Sequence, residues 1–146
     1  MTGRAFVEEN LKSITICLDS YENSLMKGQI YHGAFADGKQ YDNLMQLILI
    51  IESILEATGF PKAVTEKRLF SPPKGANKKE GLNYTHIIDF NDKRGKLATF
   101  RLKILFRQNA SWQGSIAWLE KKAEVSFRSA LEMILLINDA AENLTN

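Results

Sequence analysis

Arg101, Lys103 and Arg107 stand in the segment from Leu97 to Gln108, among apolar residues at Phe100, Leu102, Ile104 and Phe106. Alternation at period two marks a strand with one buried and one open face. Cations along an open strand face suit a polyanion, because each can neutralise a phosphate. Single-stranded nucleic acid is held by such cations beside aromatic rings on which bases stack. Tyr31, Tyr84, Trp112 and Trp118 are the candidate rings, and Lys27 is a cation in an earlier strand. Trp112 and Trp118 share parity with Gly114 and Ile116, which points one or both toward a core. In the competing reading the tryptophans fill the core and the cations only solubilise the sheet.

Catalytic chemistry has little to build on. His32 and His86 both sit in strand patterns, with no second ligand at helical or hairpin spacing. Cys17 lies in a strand with no histidine near it in sequence, and a buried thiol of that kind is a small polarizable apolar residue. There is no Walker loop and no dinucleotide glycine fingerprint. Glu8 and Glu9 precede any expected core. The expectation is a protein that is not an enzyme, with no cofactor and no metal.

The net charge of +2 conceals segregation. Residues 62–107 carry twelve Lys and Arg against the four acids Glu66, Glu80, Asp89 and Asp92, a balance of +8, and the rest of the chain sums to −6. Such a block suits a phosphate-bearing or acidic partner, or serves as a solvated loop. The stretch Ser71 to Gly81 has loop composition and supplies part of that charge.

The elements that must position these residues repeat. Residues 14–56 align without a gap on residues 100–142, at a constant offset of 86. Asn23 falls on Asn109, Gly28 on Gly114, Ile30 on Ile116, and Tyr41 on Phe127. Asn43 and Gln46 fall on Ser129 and Glu132. Identities number seven in 43 positions, so agreement of alternation, glycine, helix cap and helix face carries the case.

Within unit one, Ile14 to Asp19 reads as a strand, Tyr21 to Leu25 as turn, Met26 to Ala34 as the return strand, and Lys39 to Asp42 as a short third strand. Asn43 and Gln46 form a capping box for a helix that Gly59 and Pro61 end. In unit two, Leu82 to Phe90, Leu97 to Gln108, Trp112 to Glu120 and Val125 to Phe127 read as strands. Ser129 and Glu132 then cap a helix that runs to about Glu142. Val64 to Phe70 is a further strand candidate.

Each helix has one apolar face that a sheet must cover. The expected fold is therefore α+β: two pseudo-symmetric strand–strand–(strand)–helix repeats forming a mostly antiparallel curved sheet with two helices packed on it. One domain spans 1–146, with repeat 1 at 12–58, repeat 2 at 82–143, and a basic linker at 62–81. A single cysteine excludes an internal disulfide. The first ten residues carry no signal-length apolar run, and Leu47 to Ile51 is too short to span a membrane. A cytoplasmic protein without a membrane role is expected.

The run Phe106-Arg107-Gln108-Asn109-Ala110-Ser111-Trp112-Gln113-Gly114, followed by Phe127-Arg128-Ser129, resembles a family of small uncharacterised proteins of Clostridia-type bacteria. The Met26-Lys27-Gly28 strand and Phe60-Pro61 extend that resemblance over most of the chain. It implies no function. The strand–strand–helix units with Asn23, Lys27 and Gly28, and with Asn109 and Gly114, also resemble the Pur-alpha repeat and the whirly-like single-strand binders. Gln113 stands where that pattern has lysine, and Gln29 and Ser115 where a basic residue follows glycine. The resemblance implies curved strands that bind single-stranded DNA or RNA. A binding module is thus the leading expectation, with Arg101, Lys103, Arg107, Tyr31, Tyr84, Trp118 and Lys27 as its site. A protein-interaction or self-assembly module, including a homo-oligomer, is the alternative.

Overall fold

A computed structural model describes residues 12–33, 37–59, 61–63, 68–70 and 92–145. The expected strand Leu82–Phe90, with Tyr84 and His86, lies outside the described residues, as do the loop 71–81 and most of the candidate strand Val64–Phe70. The described end of that candidate, 68–70, is not strand, and Ala63 makes a single parallel bridge to Arg107.

Six antiparallel strands form one sheet in the order β3-β2-β1-β4-β5-β6. They are β1 (Ser13–Glu22), β2 (Leu25–His32), β3 (Lys39–Tyr41), β4 (Ala98–Phe106), β5 (Gln113–Trp118) and β6 (Ala123–Phe127), with helices α1 (Leu44–Thr58) and α2 (Ala130–Thr145). A 3-10 turn, Leu119–Lys121, joins β5 to β6. The strand–strand–strand–helix unit recurs, and β1 pairs with its counterpart β4 at the centre.

In that central pair Ile14 faces Leu102, Thr15 faces Arg101, and Ile16 faces Phe100. Thr15 and Arg101 are also equivalent at the offset of 86. An internal two-fold axis therefore passes through the Thr15–Arg101 pair. The rest of the sheet obeys it. A bulge between Leu18 and Ser20 recurs between Ile104 and Phe106. Gly28 faces Tyr41 as Gly114 faces Phe127. Asn23 and Ser24 have positive φ, as do Asn109 and Ala110. Between Glu22 and Leu25 this left-handed pair makes the tight two-residue hairpin that matches strand twist.

The two glycines have a steric reason. A Cβ on Gly28 would lie 1.8 Å from the Cys17 carbonyl oxygen, and one on Gly114 would lie 1.9 Å from that of Lys103. Cys17 and Lys103 are again equivalent. Beside Gly28, the Tyr41 hydroxyl donates to that Cys17 oxygen at 2.8 Å. Phe127 has no hydroxyl to do the same for Lys103.

Helix caps follow the capping boxes. Asn43 Oδ1 accepts from the Gln46 amide at 2.9 Å, and Ser129 Oγ accepts from the Glu132 amide at 3.1 Å. Gln46 and Glu132 reach back to the amides of Asp42 and Arg128. Gly59 ends α1 in the left-handed region at φ 70°. The helices bury Leu47, Ile51, Ile54 and Leu55, and Met133, Ile137, Ala140 and Ala141, against Ile14, Ile16, Leu18, Phe100, Leu102 and Ile104. Each large apolar side chain so buried contributes about 1.5–3 kcal/mol.

Candidate nucleic-acid interface

Pairing parity sorts the expected site residues. The helix face of β1 and β4 carries Ile14, Ile16, Leu18, Phe100, Leu102 and Ile104. The opposite face carries Thr15, Cys17, Thr99, Arg101 and Lys103. Tyr31 pairs with Thr15, Gln29 with Cys17, and Lys27 with Ser20, so β2 adds Tyr31, Gln29 and Lys27 to that opposite face. Four expected residues, Lys27, Tyr31, Arg101 and Lys103, are thus brought to one surface. Lys27 is exposed, whereas Tyr31, Arg101 and Lys103 are half-buried.

Lys93 joins them. Its Nζ lies 5.6 Å from the centroid of the Tyr31 ring, within cation–π range. It belongs to the turn before β4, and its place in the +8 segment was the only sequence signal for it. The centre of this surface is closely packed: Thr15, Cys17 and Thr99 are all buried there. Burial pushes the Cys17 thiol up to about 11, with the charges of Asp19 and Glu120 adding to the rise. At neutral pH it is a thiol rather than a thiolate nucleophile. The Tyr31 phenol is raised too, chiefly by burial.

Two expected residues are elsewhere. Strict alternation puts Arg107 with Arg101 and Lys103, but it lies on the helix side, 6% exposed. The bulge at Leu105 adds one residue to β4 and reverses parity beyond it. Arg107 Nη2 is bonded to the carboxylates of Glu52 and Glu56 on α1, and Nη1 donates to the Pro61 carbonyl. It ties the second repeat to the helix of the first. Tyr21 is its equivalent, and its hydroxyl bonds to Asn138 and Glu142 on α2, at 2.6 and 2.9 Å. Asn138 and Glu142 are the counterparts of Glu52 and Glu56. Each repeat therefore holds the other's helix by the same two helix positions.

Trp118 is the second correction. It pairs with Phe100 on the helix side, the two ring centroids 6.1 Å apart. It is half-buried there, with Nε1 buried and without a hydrogen-bond partner. Trp112 is core, at 5% exposure. Trp118 lines a cleft of about 200 Å³ with Phe100, Ile116, Ala123, Val125 and Leu136. Tyr84, the remaining expected ring, lies outside the described residues.

Among the described residues no group of three His, Cys, Asp or Glu could hold a metal ion. No helix among them is long and apolar enough to cross a membrane. Set against protein-family models, curated proteins and solved structures, the chain matches none.

Proposed function

We propose that the protein is a non-enzymatic binding module, and that its sheet face opposite the helices takes single-stranded nucleic acid. The observation that carries this is the placing of Lys27, Tyr31, Arg101 and Lys103 on one side of a three-strand surface, with Lys93 against the Tyr31 ring. The cations would neutralise successive phosphates, and Tyr31 would stack a base, sharing its ring with Lys93. Arg107 and Trp118 have no part in this. Arg107 is engaged with α1, and Trp118 faces α2 through the cleft.

Fluorescence anisotropy with mixed-sequence single-stranded and duplex oligonucleotides tests the reading. At low salt the single strand binds more tightly. With about three phosphate contacts, log K falls with log salt at a slope of about −2. Substituting Lys27, Lys93 and Lys103 together by Ala abolishes binding in a chain whose circular dichroism is unchanged. No binding at low salt, or binding that salt does not weaken, overturns it.

A further inference from the structure

The sheet has two edges, β3 and β6, and the internal two-fold makes them equivalent. They are built in opposite ways. β3 is three residues long, and Asp37-Gly38-Lys39 stand where β6 has Ala123-Glu124-Val125. A short edge that opens on a lysine resists pairing with another chain. β6 runs five residues, with Val125 where β3 has Lys39. Ala123 to Ser126 are exposed, Val125 at 46%, and no strand lies beyond them among the described residues. Along such an edge every second residue turns its N–H and C=O outward.

Beside this edge the second repeat is also hollow. The cleft opens between β6 and α2, lined by Ala123, Val125, Leu136 and Ala140. Ile54 is the counterpart of Ala140. On the same helix Leu131 and Leu135 are exposed, at 63% and 55%. Their counterparts on α1, Met45 and Leu49, are exposed as well, at 67% and 59%, so the bare edge and the hollow beneath it are what set the second repeat apart.

We infer that β6 is a docking edge for a second copy of this chain, paired antiparallel across a two-fold axis at Val125. In that register Val125 meets Val125, Ala123 meets Phe127, and Glu124 meets Ser126. No like charges oppose each other within the strand. One step outside it Lys122 meets Arg128, whose guanidinium is neutralised by Glu132 at 2.7 Å. The apolar Val125 pair closes the mouth of the cleft. A stable dimer buries about 800 Å² per copy, more than five strand residues supply, so Leu131 and Leu135 of the two α2 helices complete the contact. The sheet becomes twelve strands with β3 at both ends, the edge already built to stop.

Sedimentation of the full chain over a concentration series tests this, with Val125→Lys, which installs the residue of the other edge, and Val125→Cys. The expected result is a concentration-dependent dimer whose dissociation constant Val125→Lys raises at least about tenfold. Opposed Cβ atoms lie about 5 Å apart across such a pair, so Val125→Cys forms a disulfide-linked dimer under mild oxidation, and Glu124→Cys does so far more slowly. Hydrogen exchange of the unaltered chain guards against a misfolded variant, since the amides of 123–127 gain protection as concentration rises. A monomer at every concentration, or a dimer indifferent to Val125→Lys with unprotected edge amides, overturns the inference and leaves the edge to a strand from another protein.

Discussion

The two repeats are the same where backbone must fit backbone and differ where a side chain meets something else. Gly28 and Gly114 both let a strand pass a neighbouring carbonyl, and the left-handed turn pairs and the bulges coincide. At the ends of the bulged strands, Tyr21 reaches α2 by two hydrogen bonds whereas Arg107 reaches α1 by charge. At the helix starts, Gln46 is neutral and Glu132 ionised. At the edges, Lys39 opposes Val125. A duplicated scaffold thus leaves each half free to differ in charge while the sheet geometry stays common.

The glycine pair offers the largest effect. Alanine at either position puts a Cβ under 2 Å from a backbone oxygen, which no rotamer change relieves. Overpacking against backbone costs about 3 kcal/mol or more. Gly28→Ala is the worse of the two, because the Tyr41 hydroxyl also lies 2.8 Å from the added carbon. Urea unfolding should rank Gly28→Ala below Gly114→Ala. Adding Tyr41→Phe to Gly28→Ala narrows the gap without restoring stability, since the Cys17 oxygen remains. Equal midpoints for the two alanine variants would show that the hydroxyl moves aside at no cost.

These constraints explain what the sequence disclosed. The offset of 86 carried the architecture, because glycine, turn asparagine and capping box are local backbone requirements written in residue type. Capping-box pairs Asn43/Gln46 and Ser129/Glu132 located both helix starts to within a residue. The site was less legible because a bulge has no residue signature of its own here. Leu105, the extra residue in β4, is an ordinary leucine, so alternation counted from Phe100 put Arg107 on the wrong side. The signal lay in the other repeat: Tyr21 breaks the parity of Ile14, Ile16 and Leu18, and Arg107 is its equivalent. Trp118 kept parity with Ile116, which already pointed to the helix side. The Lys93–Tyr31 contact joins residues over sixty positions apart, so no local pattern could disclose it.

The crossed clamps give the next two effects. Arg107→Met removes the Arg107 guanidinium from Glu52 and Glu56. Breaking a buried ion pair costs about 3–5 kcal/mol. The two carboxylates are 26% and 35% exposed and regain some water, so a loss of about 2 kcal/mol is expected. Tyr21→Phe removes only hydrogen bonds, one of them to a carboxylate, and should cost about 1 kcal/mol. Measured by urea unfolding, the ratio of the two losses tells whether charge makes one clamp stronger. Equal losses would mean that packing of the long side chains, rather than charge, holds the helices.

The smallest effect separates the two helix starts by pH. Hydrogen bonds from the Arg128 side chain and backbone hold the Glu132 carboxyl down at about 2. An unfolded glutamate titrates near about 4.3. A carboxyl depressed in the folded state contributes stability that is full above the unfolded value and is lost as pH falls through the folded one. That contribution should fade between about pH 4.5 and 2, and it belongs to the second repeat alone, because Gln46 cannot titrate. Glu132→Gln copies the first repeat: the amide oxygen can still accept from the Arg128 backbone, as Gln46 does from Asp42. The variant should therefore be slightly less stable than the parent at pH 6 and indistinguishable from it near pH 2. Gln46→Glu should create a shallower acid limb, since Asp42 rather than an arginine precedes that helix. A Glu132→Gln deficit that persists at pH 2 would show that the arginine contact stabilises by packing, and that the two helix starts differ in shape rather than in charge.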